Sequence, residues 1–288
     1  MDKVIRFFEK LVYTLYGIIK ILNSSRFRHK IKKHETKDES CYVLGNGPSL
    51  NKDLKECKLS FQSKNLIVVN NFGFSEFYSI LKPGFYVLAD AAYYVDNIDQ
   101  QVQLSVDNLF VELKNKTSWP VKLFVPFEGK RKIQDLLKEN SNFAIVGYNN
   151  VNTWKGFKWF DRWVYDKQWA IFSGINVIIA SLYLAITLGF KQIYLFGVDH
   201  TWHKNLVVGD DNILYFYDDH FYDVENQKPI PVILEKNNKI IYMKIHEQFD
   251  YLKKTFEVYH YLEDYAKYKN VMIYNCTLGS YIDAFTRI

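Results

Sequence analysis

Histidine, carboxylate and tyrosine side chains gather in one segment of the chain, YFYDDHFYD at residues 215–223. His220 stands there among Asp218, Asp219 and Asp223, with Tyr215, Tyr217 and Tyr222 beside it. Neighbouring carboxylates raise an imidazole pKa and favour its charged form. Tyrosine hydroxyls can donate to a departing phosphate. A solvated acidic loop is the plain alternative. His246 begins a long periodic stretch further on. A helix N-terminus holds an imidazole neutral, as a general base requires; an ordinary surface histidine fits the position equally. Asp199 and His200 form a third group, with His203 three residues later. No further ligand shares a helix face with that histidine pair, so no metal site is expected. Asp199 can instead cap a loop or bind a sugar hydroxyl.

The stretch GNGPSL, residues 45–50, follows a short apolar run. It lacks the Gly-Lys-Ser/Thr of a phosphate-binding P-loop and the third glycine of the dinucleotide fingerprint. Gly45 and Gly47 are expected to let backbone N–H groups approach an anion. Asn46 supplies an amide, and Ser49 caps a helix whose dipole favours phosphate. A purely structural strand-to-helix turn is the alternative. Ser173 and Gly174, ahead of the apolar stretch 175–188, are a second expected anion site or a plain N-cap.

These residues need elements to hold them. Strands are expected at 41–45, 65–74, 84–94, 121–127, 142–149, 192–199 and 271–277. Helices are expected at 49–57, 74–82, 96–116, 130–139, 175–188 and 245–268, with Gly189 closing the fifth. Segment 204–240 is polar and reads as irregular. Strands alternating with helices imply an α/β fold: a mostly parallel, Rossmann-like sheet with helices on both faces. Ligands bind outside the carboxyl ends of such strands. Those ends carry Gly45 to Ser49, Asn70 and Asn71, Asp90, Asp199 and His200, and Asn275 to Ser280, which includes Thr277.

The chain has 288 residues, 48% of them hydrophobic, enough for one large domain with a packed core. Its net charge of +5 is unevenly placed. Residues 1–37 hold ten Lys and Arg against three Asp and Glu, a net of +7, and the remaining 27 basic and 29 acidic residues leave −2. The near-neutral body argues against a nucleic-acid surface. Val4, Phe8, Leu11, Leu15, Ile18 and Leu22 recur at helical spacing beside this charge. Residues 1–37 are therefore expected to be an amphipathic arm that contacts an anionic membrane leaflet or another subunit, with a helix packed on its own domain as the plain alternative. Lys33 to Ser40 reads as a linker and 38–288 as one catalytic domain. Cys41, Cys57 and Cys276 form no framework and suit a reducing compartment. No signal peptide and no spanning helix are expected.

The order of five segments, GNGPSL, VVNNFGF, FYVLAD, SGINVIIASLYLAITLGFKQIYLFGVD and MIYNCTLGSYIDAF, resembles the bacterial sialyltransferases of glycosyltransferase family 42. It also resembles the related MptE-like group of surface-polysaccharide and flagellin-glycosylation proteins. The resemblance covers residues 41–200 and 242–286. It implies a single-domain GT-A variant that binds CMP-sialic acid without a metal beneath a lid, here about 204–244. By motif, Asn46 and Ser49 would touch the nucleotide and its phosphate, and Asn70 the nucleotide. Asp90 stands where the family has an asparagine near the ribose. Ser173 and Gly174 would meet the donor carboxylate or phosphate. Thr201 replaces a family tyrosine, and His246 holds the family base's place in chain order.

The expected activity is a glycosyltransferase moving a CMP-linked sialic or related nonulosonic acid to a hydroxyl of a bacterial glycan or lipid-linked acceptor. A histidine base and direct displacement would carry it, with no cofactor required. The expected location is cytoplasmic, peripheral at the inner membrane face, with homo-oligomers possible. The alternatives are an MptE-like pterin pyrophosphokinase using Mg-ATP, with Asp90, Asp199 and the acidic segment holding the metal, and a non-catalytic polysaccharide-assembly protein.

Overall fold

The computed structural model describes residues 2–61, 64–96, 98–172, 176–217, 229–236 and 239–288. In chain order its elements are α1 (Asp2–Ser24), β1 (Ser40–Leu44), α2 (Leu50–Phe61), β2 (Leu66–Val69), α3 (Phe77–Leu81), β3 (Phe85–Val87), α4 (Gln100–Lys116) and β4 (Val121–Pro126). There follow α5 (Phe127–Leu137), β5 (Phe143–Tyr148), α6 (Lys158–Asp166), α7 (Val177–Leu188), β6 (Gln192–Phe196), β7 (Leu206–Val208), β8 (Leu214–Phe216) and β9 (Ile230–Pro231). The chain closes with β10 (Ile233–Lys236), β11 (Lys239–Tyr242), α8 (Ile245–Tyr268), β12 (Met272–Asn275) and β13 (Thr286–Arg287).

Eight parallel strands form the main sheet, in the order β13-β12-β6-β1-β2-β3-β4-β5. The fold is α/β and Rossmann-like. Side chains alternate faces along a strand, so Cys41 and Val43 of β1 enter one core while Leu44 enters the other. The first core contains α7, whose residues are buried nearly all round, as its unbroken apolar sequence requires. Gly189 ends α7 in the left-handed conformation at φ +99°, donating to Ala185 and Ile186. The second core is built from α2, α4 and the opposite sheet face.

Three sequence expectations need correction. The N-cap of α7 is Asn176, whose Oδ1 accepts from the N–H groups of Ile178 and Ile179 at 2.9 and 3.1 Å. The helix thus starts after the Ser173-Gly174 pair, which lies outside the described residues. The described residues of segment 204–240 are not irregular throughout. Strands β7, β8 and β9 form one antiparallel sheet, and β10 pairs with β11. Helix α6 falls in a stretch to which the sequence reading gave no element.

The N-terminal arm is not detached from the domain. Thr14, Gly17 and Ile21 are its buried positions, one helix face at spacings of three and four. A Cβ on Gly17 would lie 3.2 Å from Thr153 Cγ2, and the Phe157 N–H donates to Thr14 Oγ1 at 3.0 Å. Further along, the Arg26 N–H donates to Asn149 Oδ1 at 2.8 Å and the Ile31 N–H to Gln168 Oε1 at 2.7 Å. Ile21 and Ile31 belong to the core. Part of the expected linker is held as well, since the His34 N–H donates to the Leu188 carbonyl at 2.8 Å.

Candidate active site

Strands β1 to β5 run to one side of β1, and β6, β12 and β13 to the other. The direction of winding therefore reverses between β1 and β6. A crevice opens outside the carboxyl ends of strands at such a point. Here it is a cleft of about 550 Å³. Of the sequence-nominated residues, Gly45, Asn46, Gly47, Asn70, Asp90, Asp199 and His200 line it.

The two glycines do something other than cradle an anion. The Gly45 N–H donates to the Phe196 carbonyl at 2.8 Å, and the Gly47 N–H to the Gly197 carbonyl at 2.9 Å. Both donors are thus spent on the end of β6 and the residue after it. A Cβ on Gly45 would sit 2.3 Å from the Gly197 oxygen, and one on Gly47 2.0 Å from Asp199 Oδ2. The glycines permit this close approach of two loops. Ser49 supports the cleft from behind. Its hydroxyl donates to Asp199 Oδ2 at 2.9 Å, and its N–H bonds the same carboxylate. Asp199 therefore occupies the N-terminus of α2 where a phosphate was expected. Burial raises its pKa, and the Ser49 bonds oppose that shift.

His200 is buried and holds a left-handed backbone at φ +53°. Its ring stacks on Trp202 with centroids 4.1 Å apart, and its Nε2 lies 2.6 Å from the Tyr259 hydroxyl. That hydroxyl donates to Asn176 Oδ1 at 3.2 Å. Burial lowers the His200 pKa to about 3. An imidazole so hard to protonate is a weak base and serves better to hold Tyr259 in place.

Two asparagines of the cleft lining are incompletely satisfied among the described residues. Asn46 Nδ2 donates to the Val69 carbonyl at 3.1 Å, while its buried Oδ1 has no partner among the described residues. Asn176 spends its Oδ1 on the cap, and its buried Nδ2 has no partner among the described residues. A buried unpaired polar atom costs about 1–3 kcal/mol, which a ligand offering the complementary group would recover. Asn70 holds φ +44°, and its Oδ1 accepts from the Ala89 N–H at 3.4 Å. Asp90 is exposed, its Oδ1 accepting from the Ala92 N–H at 2.9 Å. No lysine or arginine lines the cleft among the described residues.

Other nominated residues lie elsewhere. Asn71 Oδ1 accepts from the Tyr93 hydroxyl at 2.9 Å and does not line the cleft. Thr277 Oγ1 accepts from the Val198 N–H at 3.1 Å, and Ser280 Oγ donates to the Val198 carbonyl at 2.7 Å. These two brace the cleft wall from inside the protein. The Tyr215 hydroxyl donates to Asp211 at 2.8 Å, and the Tyr217 backbone pairs with Asn205. It is Phe216 between them that lines the cleft. His246 is exposed on the first turn of α8 and lines neither this cleft nor the recess beside it. His203 packs edge-on against Tyr281, and among the described residues no three His, Cys, Asp or Glu side chains are grouped to hold a metal. His220, Ser173 and Gly174 lie outside the described residues.

The sequence reading missed Tyr94, Asn150, Asn176, Trp202, Asn205, Phe216 and Tyr251, all in the lining. Asn150 follows the end of β5 and was open to the same strand-end rule. Asn176 precedes an apolar helix and carries the N-cap signature. A second recess of about 400 Å³ continues from the cleft, sharing Asn176, Trp202, Phe216 and Tyr251 and adding Ile230, Pro231, Val232, Gln248 and Leu252.

No protein-family model matches the chain, and no curated protein does. Among solved structures, the MAf glycosyltransferase from Magnetospirillum magneticum AMB-1 is similar, at 15% sequence identity over 96% of this chain with a TM-score of 0.49. The chain spans 38% of that protein's length.

Proposed function

We propose that the cleft binds a nucleotide-activated sugar and that the chain is a glycosyltransferase, with a CMP-linked nonulosonic acid as donor. The observation that carries this reading is the cleft at the sheet's switch point. Among the described residues it offers an unpaired amide acceptor at Asn46 and an unpaired amide donor at Asn176, and no lysine or arginine lines it. A donor with a single phosphate suits such a cleft. One negative charge can be met by the Asn176 amide and the dipole at the start of α7. A diphosphate or triphosphate needs a cation beside it. The motif order that resembles family 42 points the same way.

The reaction is a direct displacement. The acceptor oxygen bonds to the anomeric carbon as the bond from that carbon to the phosphate oxygen breaks, and CMP leaves with the electron pair. The acceptor proton passes to a base. His246 lines neither the cleft nor the recess, so we assign this role to His220, with the exposed carboxylate of Asp90 as the described alternative. The aromatic recess beside the cleft suits an acceptor sugar, since rings bury apolar faces and Tyr or Trp keep a polar edge. The recess is open to an acceptor while the donor fills the cleft.

One observation favours a second reading. Asp90 and Asp199 line the same cleft, and carboxylates of this kind would hold the Mg²⁺ of an ATP-dependent pterin pyrophosphokinase. Incubation with a panel of nucleotide sugars, followed by mass spectrometry of the products, separates the two. Release of CMP from one donor without added metal supports the transferase. Turnover of ATP only with Mg²⁺ supports the kinase, and no turnover of any substrate leaves the assembly protein.

A further inference from the structure

Helix α1 packs on the domain by its small side and leaves its bulky side bare. Thr14, Gly17 and Ile21 are buried, whereas Val12 and Leu22 are 63% and 67% exposed. Phe8, Leu15 and Ile19 are exposed with them. This is the apolar stripe of the sequence, and no described residue of the chain covers it. Isolated exposed apolar side chains are ordinary, but a contiguous apolar helix face is an interaction surface.

The fold adds what the sequence does not reveal. Helix α6 lies alongside and presents Trp159, 68% exposed, and Trp163, also exposed. Phe157 links the helices, 5.5 Å from the Phe7 ring and stacked at 6.4 Å on Trp159. At the far end Trp169 meets both Trp163 and Phe27, each at 5.0 Å. An aromatic band thus joins the two ends of the arm. Trp and Tyr concentrate where a protein meets lipid headgroups.

We propose that α1, together with Trp159 and Trp163 of α6, is the surface on which this protein lies against an anionic lipid bilayer. Residues 1–37 carry +7, and Arg26, Arg28, Lys30, Lys32 and Lys33 are all exposed at the end of the helix. That charge complements anionic headgroups. A symmetric contact with a second copy would bring the same +7 against itself, and like charges so placed oppose association. Among the described residues no helix is long and apolar enough to cross a membrane, so α1 would lie in the interface plane. The surface is independent of what the cleft binds.

The test uses the full chain and vesicles of phosphatidylcholine with or without phosphatidylglycerol. Sedimentation with the phosphatidylglycerol vesicles is expected, weakened by salt and accompanied by a blue shift of tryptophan fluorescence. Phe8→Glu with Leu15→Glu changes only exposed positions and should weaken partitioning by about tenfold or more. Trp159→Ala with Trp163→Ala should reduce both partitioning and the blue shift. Circular dichroism checks that each variant keeps its fold. Absence of binding to the anionic vesicles overturns the proposal, as does binding that the Phe8 and Leu15 changes leave intact. A dimer in sedimentation velocity that those same changes dissociate overturns it too, and assigns the face to a second copy.

Discussion

The Asp199 carboxylate accepts the Ser49 hydroxyl at 2.9 Å and so fills the head of helix α2 from within the chain. The dipole there does favour negative charge, and the protein supplies it. The loops after β1 and β6 are thereby locked together, and the cleft floor is built before any ligand arrives.

This lock depends on glycine at position 47. A methyl there would meet Asp199 Oδ2 at 2.0 Å and the Gly197 carbonyl at 2.8 Å. The second is backbone and cannot swing aside. Gly47→Ala should therefore lose about 1–3 kcal/mol of stability through overpacking, read from urea unfolding. Gly84→Ala is the control, since nothing lies within 4 Å of its Cβ. A Gly47 variant as stable as the Gly84 variant would mean the loops are not locked as described.

Asn176 has two jobs that one substitution separates. Aspartate keeps the oxygen that caps α7 and loses the amide hydrogens aimed at the cleft. Asn176→Asp should change folding stability by no more than about 0.5 kcal/mol. Affinity for the nucleotide should fall by at least about tenfold, as loss of a buried hydrogen bond and an added negative charge imply. Calorimetric titration with CMP reads the affinity. Unchanged affinity would remove Asn176 from the ligand contacts.

Helix α8 allows a comparison between a residue chosen by chain order and one chosen by phase. Gln248, Tyr251 and Leu252 stand at i, i+3 and i+4 and line the recess. His246 is two residues before Gln248, about 200° round the helix, and faces away. Tyr251→Ala should lower turnover with the acceptor by about tenfold or more, while His246→Ala leaves it within a few-fold of the parent. The reverse ranking in a transfer assay would restore the histidine as base.

The same contrast shows what the sequence can carry. Strand ends were legible because a parallel sheet puts them on one rim, and Asn46, Asn70, Asp90 and Asp199 do share one cleft. Side-chain direction was less legible. Tyr215 and Phe216 are adjacent on β8, and a period of two decides which one meets the ligand; without the pairing of β8 with β7 the phase is open. The role of Gly45 and Gly47 was hidden for another reason. Their partners are Phe196 and Gly197, about 150 residues away in sequence, and only the β1–β6 pairing brings them near. Thr277 and Ser280 were chosen as polar strand-end residues, yet their hydroxyls are consumed by the Val198 peptide.

His200 should stay neutral through the physiological range. Its folded pKa is lowered to about 3 from an ordinary 6.5 by burial. The unfolded chain then binds a proton that the folded one refuses, so this group's contribution is present above pH 6.5 and lost as pH falls toward 3. Its imidazole resonances should not titrate between about pH 5 and 8. A titrating signal assigned to His200 in that range would show that the ring is hydrated.

Asp161 works in the opposite direction. It is buried beneath α1, and burial raises its pKa from 3.8 to about 7 against the Gly156 N–H bond that favours the charged form. The folded state here holds a proton that the unfolded state releases. Its contribution is full below pH 3.8 and is lost as pH rises through 7. Between about pH 4 and 6.5 the slopes from Asp161 and His200 have opposite sign and similar size, one proton each. The parent protein should consequently show a shallow dependence from this pair. Asp161→Asn removes one slope, so stability should rise with pH across that window. His200→Asn, with a residue that tolerates the left-handed backbone, removes the other, so stability should fall with pH. Urea unfolding at several pH values reads both. Two variants with the same sign of slope would show that one of these groups is not held in the environment described.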